Sequence, residues 1–350
     1  MATKTKARKR PAARRYAGLP TPDRVMEAMS AYQRSAAIKA AIELDIFTGI
    51  EDGHTTPAKL ALNCGASERG LRILCDYMVV DGFLTKKAGH YALAPDAAAF
   101  LSWNSPTCLA STIKFLGSPL IMDNYRRLTD SVKKGGVSLE NATTAPEHPV
   151  WVEFANAMAP MMALPAHLLA KLLEADRGKP WKVLDVAAGH GAFGVALAKR
   201  NPNAHVTALD WPDVLKVAQD NAKAAGVITR HKLLPGSAFD VDFGSGYDLI
   251  LLTNFLHHFD VPTNERLLNK VHAALGPKGR AVILDFVPNE DRVSPAFQAG
   301  FSLVMLASTA AGDAYTYAEL DAMARAAGFA RTDRHSLAPT PQTVIIAHKA

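Results

Sequence analysis

The stretch Val183-Leu184-Asp185-Val186-Ala187-Ala188-Gly189-His190-Gly191 decides the fold. A buried strand runs straight into a loop with two glycines, and helix-forming residues follow. Gly189 and Gly191 let the backbone approach a ligand in conformations that other residues resist. Extending to Gly194 gives Gly189-His190-Gly191-Ala192-Phe193-Gly194, the G-x-G-x-x-G spacing of nucleotide-binding turns. A second strand ends in Asp210, about 20 residues further on, where a carboxylate accepts hydrogen bonds from ribose hydroxyls. Two cofactors compete for this pattern. A nicotinamide dinucleotide sets its pyrophosphate on the helix N-terminus. S-adenosylmethionine has no phosphate; it carries an ammonium, a carboxylate and a sulfonium. Asp185 suits that cationic end and supports the loop, whereas it is unwelcome beside a pyrophosphate. The residues favour S-adenosylmethionine, and the literal glycine spacing keeps the nicotinamide reading open.

Neighbouring segments fit a nucleoside pocket. Trp211 follows the ribose acid and stacks on adenine, faces a cation or packs as a partly buried ring. Gly236-Ser237-Ala238-Phe239 follows the third strand, at the adenine edge, where Ser237 either bonds the base or caps a turn. The fourth strand ends in Leu251-Leu252-Thr253-Asn254-Phe255-Leu256-His257-His258-Phe259-Asp260. In open α/β sheets, ligands bind beyond the carboxyl ends of the strands. Histidine there titrates near neutrality and can act as a base. His257 is the first candidate and His258 the second, against the plainer alternative of a side chain that bonds the backbone.

Working outward, strands are expected at 182–186, 205–210, 231–234, 247–253, 280–286, 331–336 and 343–348, with helices between them at 192–200, 214–225, 264–274 and 317–327. Seven strands with helical crossovers imply an α/β, Rossmann-like, doubly wound and mostly parallel sheet. The last two strands lie close enough to form an antiparallel edge pair. Upstream, residues 25–44 have helical spacing, and two short helices at 57–63 and 66–80 precede strands at 83–85 and 90–93. That order is a winged-helix pattern. Helix is expected from 107 to 134 with a break at Gly117-Ser118-Pro119, then loop over 135–148, then a methionine-rich helix from 149 to 175. The domain expectation is a disordered basic tail over 1–18, a winged-helix-like domain over 19–106, a helical connector over 107–176 and the cofactor domain over 177–350.

The chain has 350 residues, 49% hydrophobic and 21% charged, the balance of a globular protein with a large core. No apolar run approaches the roughly 20 residues needed to span a bilayer. Its three cysteines, Cys64, Cys75 and Cys108, form neither a disulfide framework nor a zinc spacing, so a reducing, cytoplasmic setting is expected. Lys4, Lys6, Arg8, Lys9, Arg10, Arg14 and Arg15 outnumber the whole net charge of +6, so the folded body is near neutral. A tail of that kind is usually solvated. Together with the winged-helix pattern it raises a second class of function, a DNA-binding regulator. The segment 68–76 argues against it, because Glu68 and Asp76 offset Arg69 and Arg72.

These residues together resemble the dimeric small-molecule O-methyltransferases, the caffeate- and acetylserotonin-type enzymes and their bacterial relatives. The resemblance covers nearly the whole chain after the tail. It rests on the winged-helix part, the Leu-Asp-Val-x-x-Gly-x-Gly loop, Leu-Asp-x-Pro-x-Val at 209–214, Leu-His-x-aromatic-Asp at 256–260, Pro277-Lys278-Gly279, and the run from Tyr317 ending in Ala-Ala-Gly-Phe at 326–329. It implies an N-terminal domain that builds a homodimer and does not bind DNA. It implies a small-molecule acceptor bound by Met158, Met162, Asn254, Phe301 and Met305, with no metal. His257 matches the general base and Asp285 the acid that steadies it, one carbon shorter than the usual glutamate. Asp185, Ala187, Gly189, Gly191, Asp210, Trp211, Ser237, Ala238, Phe239 and Thr253 form the S-adenosylmethionine set. The chain departs from the family pattern at Ala187 (usually glycine), Ser237 (aspartate), Thr253 (often lysine), His258 (aspartate), Phe259 (tryptophan) and Ala314 (a second supporting acid). O-methylation of a small aromatic or specialised metabolite is therefore the expectation, with C- or N-methylation as the alternative.

Overall fold

The computed structural model describes residues 20–137, 142–143 and 150–350. The basic tail expected over 1–18 and most of the loop expected over 135–148 lie outside the described residues. The chain divides into two compact units, one ending at Ala97 and one beginning at Ala98.

The first unit holds α1 (Asp23–Met29), α2 (Ala31–Glu43), α3 (Ile46–Glu51), α4 (Pro57–Cys64), α5 (Glu68–Val80) and a hairpin of β1 (Leu84–Lys87) and β2 (His90–Leu93); α6 (Pro95–Phe100) straddles the boundary. The helical stretch expected over 25–44 is interrupted at Ser30, whose hydroxyl donates back to the Met26 carbonyl at 2.7 Å and competes with the helix ladder. Thr56 and Ser67 cap α4 and α5 by accepting the N–H of Lys59 and Gly70. Ala88 and Gly89 both have positive φ, the mirror-image turn that matches strand twist. The core of this unit gathers Phe47, Leu60, Leu71, Met78 and Tyr91. Along α1 and α2, Met26, Met29 and Tyr32 stay 58–70% exposed, an apolar face uncovered within the chain.

The second unit begins with short helices α7 (Ile113–Leu116), α8 (Pro119–Arg126) and α9 (Leu128–Lys134), broken at Gly117 as expected and again at Arg127. Next comes α10 (Val150–Leu172), which carries Pro160 and Pro165 inside it. The alternating part follows: β3 (Lys182–Val186), α11 (Ala192–Arg200), β4 (His205–Asp210), α12 (Pro212–Ala224), β5 (His231–Pro235), β6 (Tyr247–Thr253), α13 (Val261–Ala274), β7 (Leu275–Asp285), α14 (Ala296–Ser308), α15 (Tyr317–Ala326), β8 (Arg331–Ser336) and β9 (Thr343–His348). The seven strands lie in the order β5-β4-β3-β6-β7-β9-β8. β5 through β7 are parallel, and β9 runs antiparallel to both β7 and β8. β7 starts five residues before its expected first residue because Leu275 pairs with Tyr247 ahead of a register shift.

β3 and β6 read as nearly unbroken apolar runs because both sheet faces are covered. Val183, Leu249, Leu251 and Val282 pack against α10 and α11 on one face; Leu184, Ile250, Leu252 and Ile283 pack toward α13 and α15 on the other. Chain order reverses at β3, which opens a crevice at the carboxyl ends of β3, β4 and β6. Close approach of α11 to the sheet needs Gly194: a Cβ there would stand 2.8 Å from Val206 Cγ1 and 2.9 Å from Asp185 Oδ2. Gly194→Ala is expected to destabilise the fold by about 1–3 kcal/mol in urea unfolding, despite alanine's better helix propensity. Gly300→Ala in α14, where a Cβ meets open space, is expected to stabilise by about 0.5–1 kcal/mol. Equal effects at the two sites would refute this packing.

Candidate active site

The crevice holds a cavity of about 370 Å³. Its floor is the loop after β3, where Ala187 and Gly189 both take positive φ, 53° and 57°. Ala187 thus follows the left-handed path that glycine takes more cheaply. Gly189 has nothing within 4 Å of a would-be Cβ, so its backbone faces the cavity bare. Asp210, at the end of β4, binds this loop. One oxygen accepts the Gly189 N–H at 2.8 Å and the other the Trp211 N–H at 2.7 Å. Burial pushes the Asp210 carboxyl up to about 6, against those two bonds, which favour the charged form.

Asp185 lies beneath the loop and off the cavity wall. It is fully buried; one oxygen accepts the Gly194 N–H at 3.0 Å and the other has no partner. Burial pushes it up to about 7, with a further upward push from Asp210. Gly191 caps α11 and packs against Ala218, also off the wall.

The far side of the adenosine-sized space is the 237–239 turn. Ser237, Ala238 and Phe239 line it, and so do Trp211 and Thr253. Ser237 Oγ accepts the Phe239 N–H, and Lys270 reaches from α13 to donate to the carbonyls of Ala238 and Phe239 at 3.0 and 3.1 Å. Asp210 and Asp240 are the charged side chains on the cavity wall; neither Lys nor Arg lines it among the described residues.

At the other end, β6 delivers Asn254 at φ 52°, its N–H bound to the Leu284 carbonyl at 2.7 Å. His257 Nδ1 lies 2.6 Å from Asp285 Oδ1, which also accepts the Phe286 N–H at 2.8 Å; both side chains are buried. The His257 ring stands edge-on to Phe301 at 4.9 Å and 4.3 Å from the His258 ring. His258 forms part of the wall, and Trp151 stands edge-on to it at 5.3 Å. Burial and the neighbouring His257 hold His258 well below the ordinary histidine range, so it is neutral.

Of the residues read from sequence, the wall therefore unites Ala187, Gly189, Asp210, Trp211, Ser237, Ala238, Phe239, Thr253, Asn254 and Met162. Met158 and Met305 are buried elsewhere, Phe301 backs His257, and His257 and Asp285 are themselves buried and off the wall, so these five do not line this cavity. Sequence reasoning missed Trp151, Phe154, His190, Phe193 and Phe255. A signal existed for two of them: Trp151 and Phe154 lie on the helical face that continues through Met158 and Met162. His190 is buried neutral, its ring lowered to about 4, with Nδ1 accepting the Ala192 N–H.

The two buried acids make stability depend on pH. Their folded values exceed those of an unfolded chain, so the native state holds more protons between about pH 4 and 7 and loses relative stability as pH rises. Asp185→Asn keeps an oxygen for the Gly194 N–H and removes the charge. Its gain over the natural chain in urea unfolding is expected to be larger at pH 7.5 than at pH 4.5, by up to about 3 kcal/mol. A difference independent of pH would mean that Asp185 titrates normally.

Residues 133–330 match the O-methyltransferase domain, and residues 26–102 the O-methyltransferase dimerisation domain. The chain is 51% identical to a candidate O-methyltransferase from Nostoc punctiforme, with a TM-score of 0.91 over 95% of this chain and 100% of that one. It is 26% identical to the tetracenomycin polyketide synthesis 8-O-methyl transferase of Streptomyces glaucescens, over 94% of this chain and 97% of the relative. Human N-acetylserotonin methyltransferase, solved in complex with S-adenosylmethionine, shares the fold, with 20% identity and a TM-score of 0.83 over 95% of this chain and 99% of that one.

Proposed function

The chain belongs to the O-methyltransferase family, and on that premise we propose that it transfers the methyl group of S-adenosylmethionine to a hydroxyl of a small aromatic or specialised metabolite. The observation that carries this reading is the charge of the cavity. Its glycine loop and ribose-type acid suit an adenosyl group, while its only charged side chains among the described residues are acids. A cationic ligand is favoured there and a diphosphate is not.

S-adenosylmethionine, when bound, supplies a methyl group on a positively charged sulfur. The chain's residues have four tasks around it. Ala187 and Gly189 present bare backbone, and Asp210 takes the ribose hydroxyls on lone pairs left over from its two backbone bonds. The 237–239 turn, held by Lys270, flanks the base. Trp151, Phe154, Met162 and Phe255 line the remaining wall and exclude water, which favours a reaction that neutralises charge. His257 is the proposed general base. Asp285 on Nδ1 fixes the tautomer, leaving Nε2 as the nitrogen that takes the hydroxyl proton. Holding the reacting groups in line supplies most of the acceleration.

In this reading the first unit forms a homodimer, built on the pattern of a winged helix. The exposed Met26, Met29 and Tyr32 support that assignment, together with the match to a dimerisation domain. The three free cysteines suit a cytoplasmic setting. Nucleic acid is not a partner in the same reading.

Asp210→Ala is expected to weaken S-adenosylhomocysteine binding in calorimetry by roughly 10- to 100-fold, the loss of charge-assisted bonds. His257→Ala is expected to leave that affinity within about threefold while slowing methyl transfer to a hydroxyarene panel by a hundred- to ten-thousand-fold, roughly the worth of a general base. Unchanged turnover in His257→Ala would remove His257 from the role.

A further inference from the structure

His190 stands between the two glycines of the loop after β3 and belongs to the cavity wall, with 4% of its surface exposed. Its Nδ1 accepts the Ala192 N–H, at the first residue of α11, at 3.0 Å. A backbone N–H can only donate, so Nδ1 carries no proton. Burial lowers the ring to about 4, so it is neutral near pH 7 and its one proton sits on Nε2. The fold therefore fixes the tautomer. Nε2 has no hydrogen-bond partner among the described residues, and it is not one of the buried atoms closed off from water. The open space that this ring borders is the cavity, so the Nε2–H is a donor offered to a ligand there.

The donor is held rigidly. Asn221 Nδ2 reaches from α12 to the His190 carbonyl at 2.8 Å, and the Phe193 ring lies 6.3 Å away at 32°. Helix α11 gathers partial positive charge at its N-terminus, where His190 takes up the Ala192 N–H. Hydrogen bonds in series polarise one another. The ring thus carries the positive end of the helix to the cavity without a net charge of its own.

An acceptor must meet this donor. The adenosyl group already has its places: Asp210 takes the ribose hydroxyls, and the 237–239 turn flanks the base. What remains of S-adenosylmethionine is its amino acid end. The ammonium suits a wall whose charged groups are Asp210 and Asp240. The carboxylate only accepts, and among the described residues no Lys or Arg lines the wall to meet it.

We infer that the His190 Nε2–H is the neutral donor that receives the carboxylate of the cofactor's amino acid end. This deepens the methyl-transfer reading and rests on it. A lysine or arginine in that place would also pair the carboxylate, but it would repel the sulfonium. An uncharged ring binds the anion and leaves the wall's preference for a cation intact.

The test is calorimetry on the full-length protein with two ligands, S-adenosylhomocysteine and its decarboxylated analogue, which keeps the adenosyl group and the amine. His190→Ser keeps an oxygen able to cap the Ala192 N–H and removes the far donor. It is expected to weaken S-adenosylhomocysteine about tenfold or more, the worth of a charge-assisted hydrogen bond, and the analogue by less than about threefold. Retained binding of the analogue shows that the variant folds. The inference is overturned if the folded variant holds S-adenosylhomocysteine within about threefold of the natural chain, or weakens both ligands alike. If the variant does not fold, ¹⁵N-histidine spectra of the natural chain decide. S-adenosylhomocysteine is expected to move the His190 Nε2–H signal downfield and the analogue to leave it in place; no movement, or equal movement with both, overturns the inference. Failure of S-adenosylhomocysteine to bind the natural chain removes the methyl-transfer reading and this inference together, whereas loss of the carboxylate dependence removes this inference alone.

Discussion

Two backbone N–H groups, those of Gly189 and Trp211, end on one carboxylate, and the cofactor side of the site is built from that contact. Asp210 sits at the tip of β4, so its bonds tie the loop leaving β3 to the start of α12. The loop can follow this path because Ala187 and Gly189 accept left-handed backbone. Asp185 does a parallel job from below through Gly194, drawing α11 down onto β3 and β4. Both acids are buried and both are pushed toward the neutral form, which is costly in a protein without ligand. Of the two, Asp210 lies on the cavity wall, where in the proposed reading a cationic ligand lowers that cost.

The other half of the site depends on strand order. β3, β6 and β7 are neighbours, so the glycine loop, the segment after β6 and Asp285 at the end of β7 reach the same edge. The Asn254 N–H, bound to Leu284, turns the chain sharply as it leaves β6, and a 3-10 turn over Leu256–His258 then sets the two histidine rings side by side, tilted by 55°. One is anchored to Asp285 in the interior, and the other faces the cavity. In the proposed reading the anchored histidine is the base that moves the proton.

Much of this was legible in the residues, for physical reasons. Strands covered on both faces read as apolar runs, and all seven were found within a few residues of their ends. Asp210 and the glycines were legible because a strand, a turn, a helix and a distal acid are tied by local geometry. The pairing of His257 with Asp285 came from family resemblance, since nothing local connects residues 28 apart. What failed to show was set by tertiary packing. Trp151 and Phe154 line the wall because α10 docks over the crevice, whereas Met158 and Met305 turn into the core. The interruption at Ser30 comes from one hydroxyl competing with the helix backbone, which periodicity does not register. The early start of β7 reflects a shifted register with Tyr247.

The crevice takes an adenosyl group with a cationic end and no phosphate. The most direct measurement is a calorimetric comparison of S-adenosylhomocysteine with NAD on the full chain. Saturable binding of one S-adenosylhomocysteine per chain and no heat from NAD are expected. Binding of NAD without binding of S-adenosylhomocysteine would contradict it.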